Sequence, residues 1–315
     1  ELAVSLTVDV APLINSSLTP TVDENVTDLN VYTVTASDAG DSDAVITYGL
    51  KSGSDAAVSI DSATGVVTLA ASPDYETQTN YVFTATAADA AGNASESTIT
   101  LSVNNIDESA PTITSGGTAS AIAENSGAGQ VVYTVTSDDS ADVSGGVSYT
   151  LGGTDAALMS IDSASGAVTL TGNPDEESQA SYSFTVTATD AASNSSEQAV
   201  TLSVTDLDEV APSITSSATG LVVEDSGANK VVYTVTSDDS GDIATGATSY
   251  SLKAGSDSAL SIDSSTGQVT LSDNPKKDVQ DTYNFTVVAT DAAGNASELA
   301  VSLTVDVAPL INSSL

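Results

Sequence analysis

The chain contains no cysteine, no tryptophan and no histidine, and only five basic residues stand against 43 acidic ones. Each absence excludes something. Without cysteine there is no disulfide framework, and without cysteine or histidine zinc has no preferred ligands. So few cations leave no grip on phosphate, which excludes nucleic acid as a partner and anionic membrane surfaces with it. No apolar run approaches the roughly eighteen residues needed to cross a bilayer, so no membrane insertion is expected in this segment. No signal peptide pattern is present. The opening ELAVSLTVD reads as mid-strand, and the expectation is a window within a longer protein.

Hydrophobic residues still make up 40% of the 315, so a formal charge of −38 does not mark a disordered acidic tail. They are mostly Val, Ile, Leu and Ala interleaved with Thr and Ser, the composition of β-sheet. Ala-Pro recurs at Ala11-Pro12, Ala110-Pro111, Ala211-Pro212 and Ala308-Pro309, spaced 99, 101 and 97 residues apart. That period predicts tandem domains: residues 1–11 as the last strand of a preceding repeat, repeats at 12–110, 111–211 and 212–308, and 309–315 as the start of another. Residues 1–18 are identical to residues 298–315. Two readings stand: a super-repeat of three domains in a longer array, or a first strand donated to a neighbouring molecule.

Within each repeat the same signals return. A Val/Tyr/Thr strand begins at Val31, Val131 and Val231, and a strand carrying Tyr48, Tyr149 or Tyr250 follows an acid-rich loop. SIDSATGVVTL from Ser59 recurs from Ser160 and Ser261, and reads as a hairpin in which Asp61, Asp162 and Asp263 bond back to turn amides while a glycine supplies positive φ. Tyr-x-Phe at Tyr81/Phe83, Tyr182/Phe184 and Tyr283/Phe285 has the spacing of one buried strand face and is expected in the core. Seven short strands per hundred residues predict an all-β chain of tandem Greek-key sandwiches. The Asn-x-Ser/Thr triplets at Asn15, Asn25, Asn93, Asn194, Asn284, Asn295 and Asn312 are what so Asn/Ser/Thr-rich a chain generates by chance.

Acids also recur in register. At the Pro111 joint, Glu24, Asp74, Glu76, Asp107 and Glu108 come from one repeat. The next repeat adds Asp138 and Asp142 from its first loop, with Asp139 beside them, and Asp190. The Pro212 joint collects Glu124, Asp175, Glu177, Asp206, Asp208 and Glu209, facing Asp238, Asp239, Asp242 and Asp291. So many carboxylates repel unless a hard cation sits among them. Ca²⁺ accepts six to eight oxygens in a forgiving geometry, whereas Mg²⁺ demands a tight octahedron. Catalysis is not expected: the acid pairs appear in every repeat, and no serine has a nearby base.

These residues resemble those of tandem cadherin repeats, of the kind found in long bacterial surface proteins. Glu24, Asp74/Glu76 and Asn105-Ile-Asp-Glu-Ser-Ala-Pro111 match the family's order, as do Glu124, Asp175/Glu177 and Asp206-Leu-Asp-Glu-Val-Ala-Pro212. The family's Asp-x-Asp loop is loosened to Asp38-Ala-Gly-Asp41, Asp138-Asp-Ser-Ala-Asp142 and Asp238-Asp-Ser-Gly-Asp242, and in the third repeat Lys276 and Asp278 replace the Asp/Glu pair. The resemblance implies an extracellular or cell-surface protein whose interdomain joints are stiffened by Ca²⁺: a spacer or fibre segment. The alternative is a calcium-dependent adhesion module. Its partners are neighbouring repeats of the same chain, with self-association into fibres or cell–cell contacts, or another surface partner.

Overall fold

The computed structural model describes residues 9–38, 45–143, 145–243 and 246–307. Residues 1–8 and 308–315 of the identical end segments, Asp41 and the Ala308-Pro309 joint lie outside the described residues, and so does most of the strand expected at 1–11.

Alternation of apolar and polar residues builds three β-sandwiches in succession, each with its own core. In the second repeat one sheet has the order Ile122–Ala123, Ser195–Thr205, Ser181–Thr189, Ser148–Gly152. The facing sheet has the order Gln130–Thr134, Ala167–Leu170, Met159–Ile161. A short pair, Thr112–Ile113 with Ser137–Asp138, closes the N-terminal end. The first and third repeats follow the same plan. The expected seven strands appear as nine segments per repeat, because the first strand switches sheets and the Val/Tyr/Thr strand breaks after a bulge between Val131 and Tyr133. Among the described residues the sole helical element is one 3₁₀ turn, Ala156–Leu158.

The Tyr-x-Phe strand places Tyr182, Phe184, Val186 and Ala188 inward and the alternate threonines and serines outward. Tyr133 meets Phe184 edge-on at 6.0 Å, and Tyr233 meets Phe285 at 5.6 Å. The expected hairpin is present. Asp162 Oδ1 accepts the amides of Ala164 and Ser165 and the Ser165 hydroxyl, and Gly166 follows at φ 71°. A side chain at Gly166 would meet the Val135 carbonyl oxygen at 2.6 Å. In the third repeat the Ser265 and Thr266 hydroxyls and amides lower the Asp263 pKa to about 2. Because the folded value is depressed, the carboxylate's contribution is complete above the ordinary 3.8 and lost as pH falls to about 2. A ¹³C-detected titration should find that midpoint; one near 4 would mean the turn does not hold its aspartate.

One feature of the topology positions the acids. Ile122–Ala123 runs parallel to Ser195–Thr205, in register Ile122 with Val204. Both strands therefore leave the sandwich at the same end: the first runs directly into Glu124 and the second into the linker from Asp206. From the other side, each linker meets the first loop and the last hairpin tip of the following repeat.

Candidate metal centre

The acid that follows the short parallel strand is the anchor. Glu124 is 1% exposed, and its two oxygens accept backbone amides from Glu176 (2.8 Å) and Leu207 (2.5 Å). Glu24, 3% exposed, does the same with Tyr75 (2.8 Å) and Ile106 (2.6 Å). Each glutamate thus ties an acidic turn to the linker. The Glu176 and Leu207 amides hold Glu124 below the ordinary carboxylate range despite its burial. The next residue, Asn125 at φ 54°, donates its side-chain amide to Glu209 in the linker (3.0 Å).

Around these anchors the carboxylates gather. Glu24, Asp74 and Glu76 bring donor oxygens within 4.8 Å of one another; so do Glu124, Glu177 and Glu209, and Glu176, Glu177 and Asp206. On the far side of the first joint, Asp107 meets Asp139 and Asp190. Asp142 Oδ1 reaches back to the Asn105 side chain (3.1 Å), and Asp242 Oδ2 accepts the Glu209 amide (3.3 Å). Glu108 lies close enough to Glu24, Asp142 and Asp74 for their charges to raise its pKa, after the larger effect of its own burial. Burial and then the charges of Asp208, Asp291 and Asp238 likewise raise Asp239. Asp175 is occupied locally, its oxygens accepting the Ser178 amide (2.9 Å) and hydroxyl (3.0 Å).

The loop acids need a correction of register. Sequence alignment on the first valine of each Val/Tyr/Thr strand puts Asp38 opposite Asp138 and Asp238. Strand pairing puts Ser37 opposite Leu13 and Asp138 opposite Thr112, so the column of Asp38 holds Asp139 and Asp239. Asp139 is the acid that meets Asp107 and Asp190, while Asp138 and Asp238 each accept the amide two residues on, from Ser140 and Ser240. Alignment on the tyrosines Tyr32, Tyr133 and Tyr233 would have shown it. Sequence reasoning also passed over Asp89, which joins Asp9 and Asp38 in a further group. Its signal was the Asp-Ala-Ala-x-Asn tip shared with Asp190 and Asp291.

The donor set can be tested for a cation by its unpartnered atoms. Asp139 Oδ2, Asp190 Oδ2, Asp206 Oδ1, Asp239 Oδ2, Asp291 Oδ2, Asn105 Oδ1 and both Asp38 oxygens are buried without a hydrogen-bond partner. Asp190 shows how this arises: Asn194 donates its amide to Oδ1 (2.8 Å) but turns its side chain to the Asp107 carbonyl (2.9 Å), leaving Oδ2 free. Asn295 is used the same way, its side chain donating to the Asp208 carbonyl (2.8 Å), whereas Asn93 donates its own to Asp89 Oδ2 (2.9 Å); all three Asn-x-Ser/Thr asparagines are thus committed to internal hydrogen bonds. Buried bare oxygens cost free energy unless something positive meets them. Burial pushes Asp107 and Asp206 up, with further upward pressure from Asp190, Asp139 and Asp142 on the first and from Asp242, Glu176 and Glu124 on the second. Hard oxygens alone, many of them anionic, fit calcium.

Residues 19–104, 118–205 and 219–308 each match the cadherin domain. The chain belongs to the cadherin family. It is 28% identical over 254 residues to protocadherin Fat 4 of Mus musculus, covering 78% of this chain and 5% of that protein. It is 28% identical over 200 residues to the protocadherin-like wing polarity protein stan of Drosophila melanogaster, covering 59% of this chain and 6% of that protein. It therefore spans about a twentieth of the length of these curated relatives. Among solved structures, mouse cadherin-23 repeats EC22–24 match at TM-score 0.62 and 24% identity, covering 95% of this chain and all of that one. Mouse protocadherin-24 EC1–3 matches at 0.63 and 19%, covering 93% and 98%. These likenesses show the fold. Cadherin domains are non-enzymatic adhesion or spacer modules of extracellular and cell-surface proteins, and they generally bind calcium. No helix among the described residues is long and apolar enough to cross a membrane.

Proposed function

We propose that these cadherin repeats form a calcium-stiffened spacer in a long cell-surface protein, in the bacterial setting that the resemblance suggests. The observation that carries this reading is the set of buried, unpartnered carboxylate oxygens contributed to one joint from two successive repeats. Glu24, Asp74, Glu76, Asp107, Glu108, Asp139, Asp142 and Asp190 would hold the ions at the first joint. Glu124, Glu177, Asp206, Asp208, Glu209, Asp239, Asp242 and Asp291 would do so at the second. Bound Ca²⁺ supplies the positive charge that these oxygens lack. The residues do the rest: the buried glutamates lock the linker to the sandwich, and the loop acids of the next repeat close on it. Neighbour-only contacts of this kind suit reach and load-bearing.

Small-angle scattering of the chain in calcium and in chelator tests the reading. The maximum dimension should be sharply defined in calcium, and chelation should blur it into a flexible distribution. Identical profiles would overturn the proposal.

A second reading is adhesion, and one observation favours it. The third repeat exposes Leu221 (67%), Val223 (53%) and Val231 (52%) on adjoining edge strands, an apolar group suited to a second copy or another surface partner. Concentration-dependent sedimentation lost in Leu221→Ser would support it.

A further inference from the structure

The third repeat departs from the other two at three coordinated places. Where repeats one and two have Asp74 and Asp175 at the start of the acidic turn, the third has Lys276. Where they have Asn25 and Asn125 after the buried glutamate, it has Asp225, in the same left-handed backbone conformation (φ 59°, 54° and 58°). The linker glutamate that Asn125 holds has no counterpart. From Val103 to Pro111 and from Val204 to Pro212 the chain runs eight steps, but from Val305 to Pro309 only four, and Val307 stands in the column of Asn105 and Asp206.

The three changes fit together. Asp225 Oδ1 accepts Lys276 Nζ at 2.6 Å and Asn274 Nδ2 at 2.8 Å. In repeat two the partner at this place, Asn125, is neutral and turned to Glu209, and Asp175 stands where the lysine would be. A negative-plus-neutral arrangement has become a negative–positive pair. Lys276 also feels the charges of Asp278 and Glu224. Among the described residues Glu224 is half-buried and takes the Lys277 amide at 3.1 Å, where the matching amide of Glu176 reaches the fully buried Glu124 at 2.8 Å. Lys277, in the column of Glu176, adds a second cation to the same end.

We infer that the C-terminal end of the third repeat carries its own cation: the Lys276 ammonium, held by Asp225, stands in for a divalent ion, so that the Glu224 turn stays closed with or without calcium. This deepens the calcium reading above and rests on it, since a substitute has meaning only if the other two ends need the ion. The array would then alternate calcium-dependent seams with one that is shorter, poorer in carboxylates and indifferent to calcium. Such a seam sets a fixed place for bending.

Hydrogen exchange read by mass spectrometry on the whole chain tests this, because peptides from homologous segments report side by side. In wild type, chelation should speed exchange about tenfold or more in 124–128 and 174–180, and leave 224–228 and 275–281 unchanged. Lys276→Asp should make the latter segments calcium-dependent, and in chelator raise their exchange about two- to fivefold, the scale of an exposed ion pair. Lys276→Ala keeps the surface position without creating a new acid, and should raise exchange there equally in calcium and in chelator. If both sets of segments respond to chelation in wild type, the inference fails while the calcium reading stands. If neither set responds, the calcium reading fails and takes the inference with it. If Lys276→Asp leaves its segments indifferent to calcium, the substitution of ammonium for ion is overturned.

Discussion

Replacing Glu124 by alanine should be the most damaging single acid substitution in the chain. The side chain is fully buried, yet it is charged, and both oxygens are spent on amides from segments far apart in sequence. Alanine leaves the Glu176 and Leu207 amides buried without acceptors, and the loss of hydrogen bonds to a charged group adds to that penalty. The unfolded fraction of the second repeat should rise on the order of a hundredfold even in the absence of calcium, measured by urea unfolding. Glu124→Gln keeps one carbonyl oxygen and should fall between alanine and wild type. Glu224→Ala is the internal control: half-buried, and bonded among the described residues to one amide at a longer 3.1 Å, it should lose far less. Equal losses at 124 and 224 would show that burial between two amides is not what makes the anchor matter.

Calcium removal should have the second large effect, and an uneven one. An ion that binds only the folded form stabilises it by about 2.7 kcal/mol at a hundredfold excess over its dissociation constant. For a domain of about a hundred residues that amounts to a fall in Tm of more than about 10 °C on chelation. The second repeat contributes acids to joints at both ends and should lose most. The metal-free joints are where repulsion accumulates. Its own amide's hydrogen bond favours the Glu177 carboxylate, but burial and then the charges of Glu124, Asp242 and Glu209 outweigh it and raise the pKa. Glu76 is raised in the same way by burial and by Glu24, Asp142 and Glu108. Differential scanning calorimetry in calcium and in chelator would resolve the transitions. A single transition that does not move would remove the energetic basis for calcium at the joints.

Four lysines of the five lie in the third repeat, and three of them, Lys230, Lys276 and Lys277, are near its C-terminal end. In a chain this acidic, the placement concentrates the available positive charge where carboxylates are fewest. Lys51–Glu96 and Lys253–Glu298 are by contrast exposed pairs at equivalent positions, and contribute little.

What could be read directly was whatever neighbouring residues encode. The hundred-residue period follows from motifs that recur along the chain, and the inward Tyr-x-Phe face and the Asp162 turn from alternation and from bonds spanning a few residues. The seam acids could be named in bulk because their composition recurs. Which of them meet was settled only by pairing between distant segments. Asp139 and Asp138 are neighbours in sequence, yet the Thr112–Asp138 register assigns them to different partners, since a one-residue step in a strand turns the side chain to the opposite face. The sequence marks Glu124 as a recurring acid but gives no sign that it is buried. It became the buried anchor because a parallel strand pairing brings residues 124, 176 and 207 together, closing a loop of more than eighty residues that no local pattern records.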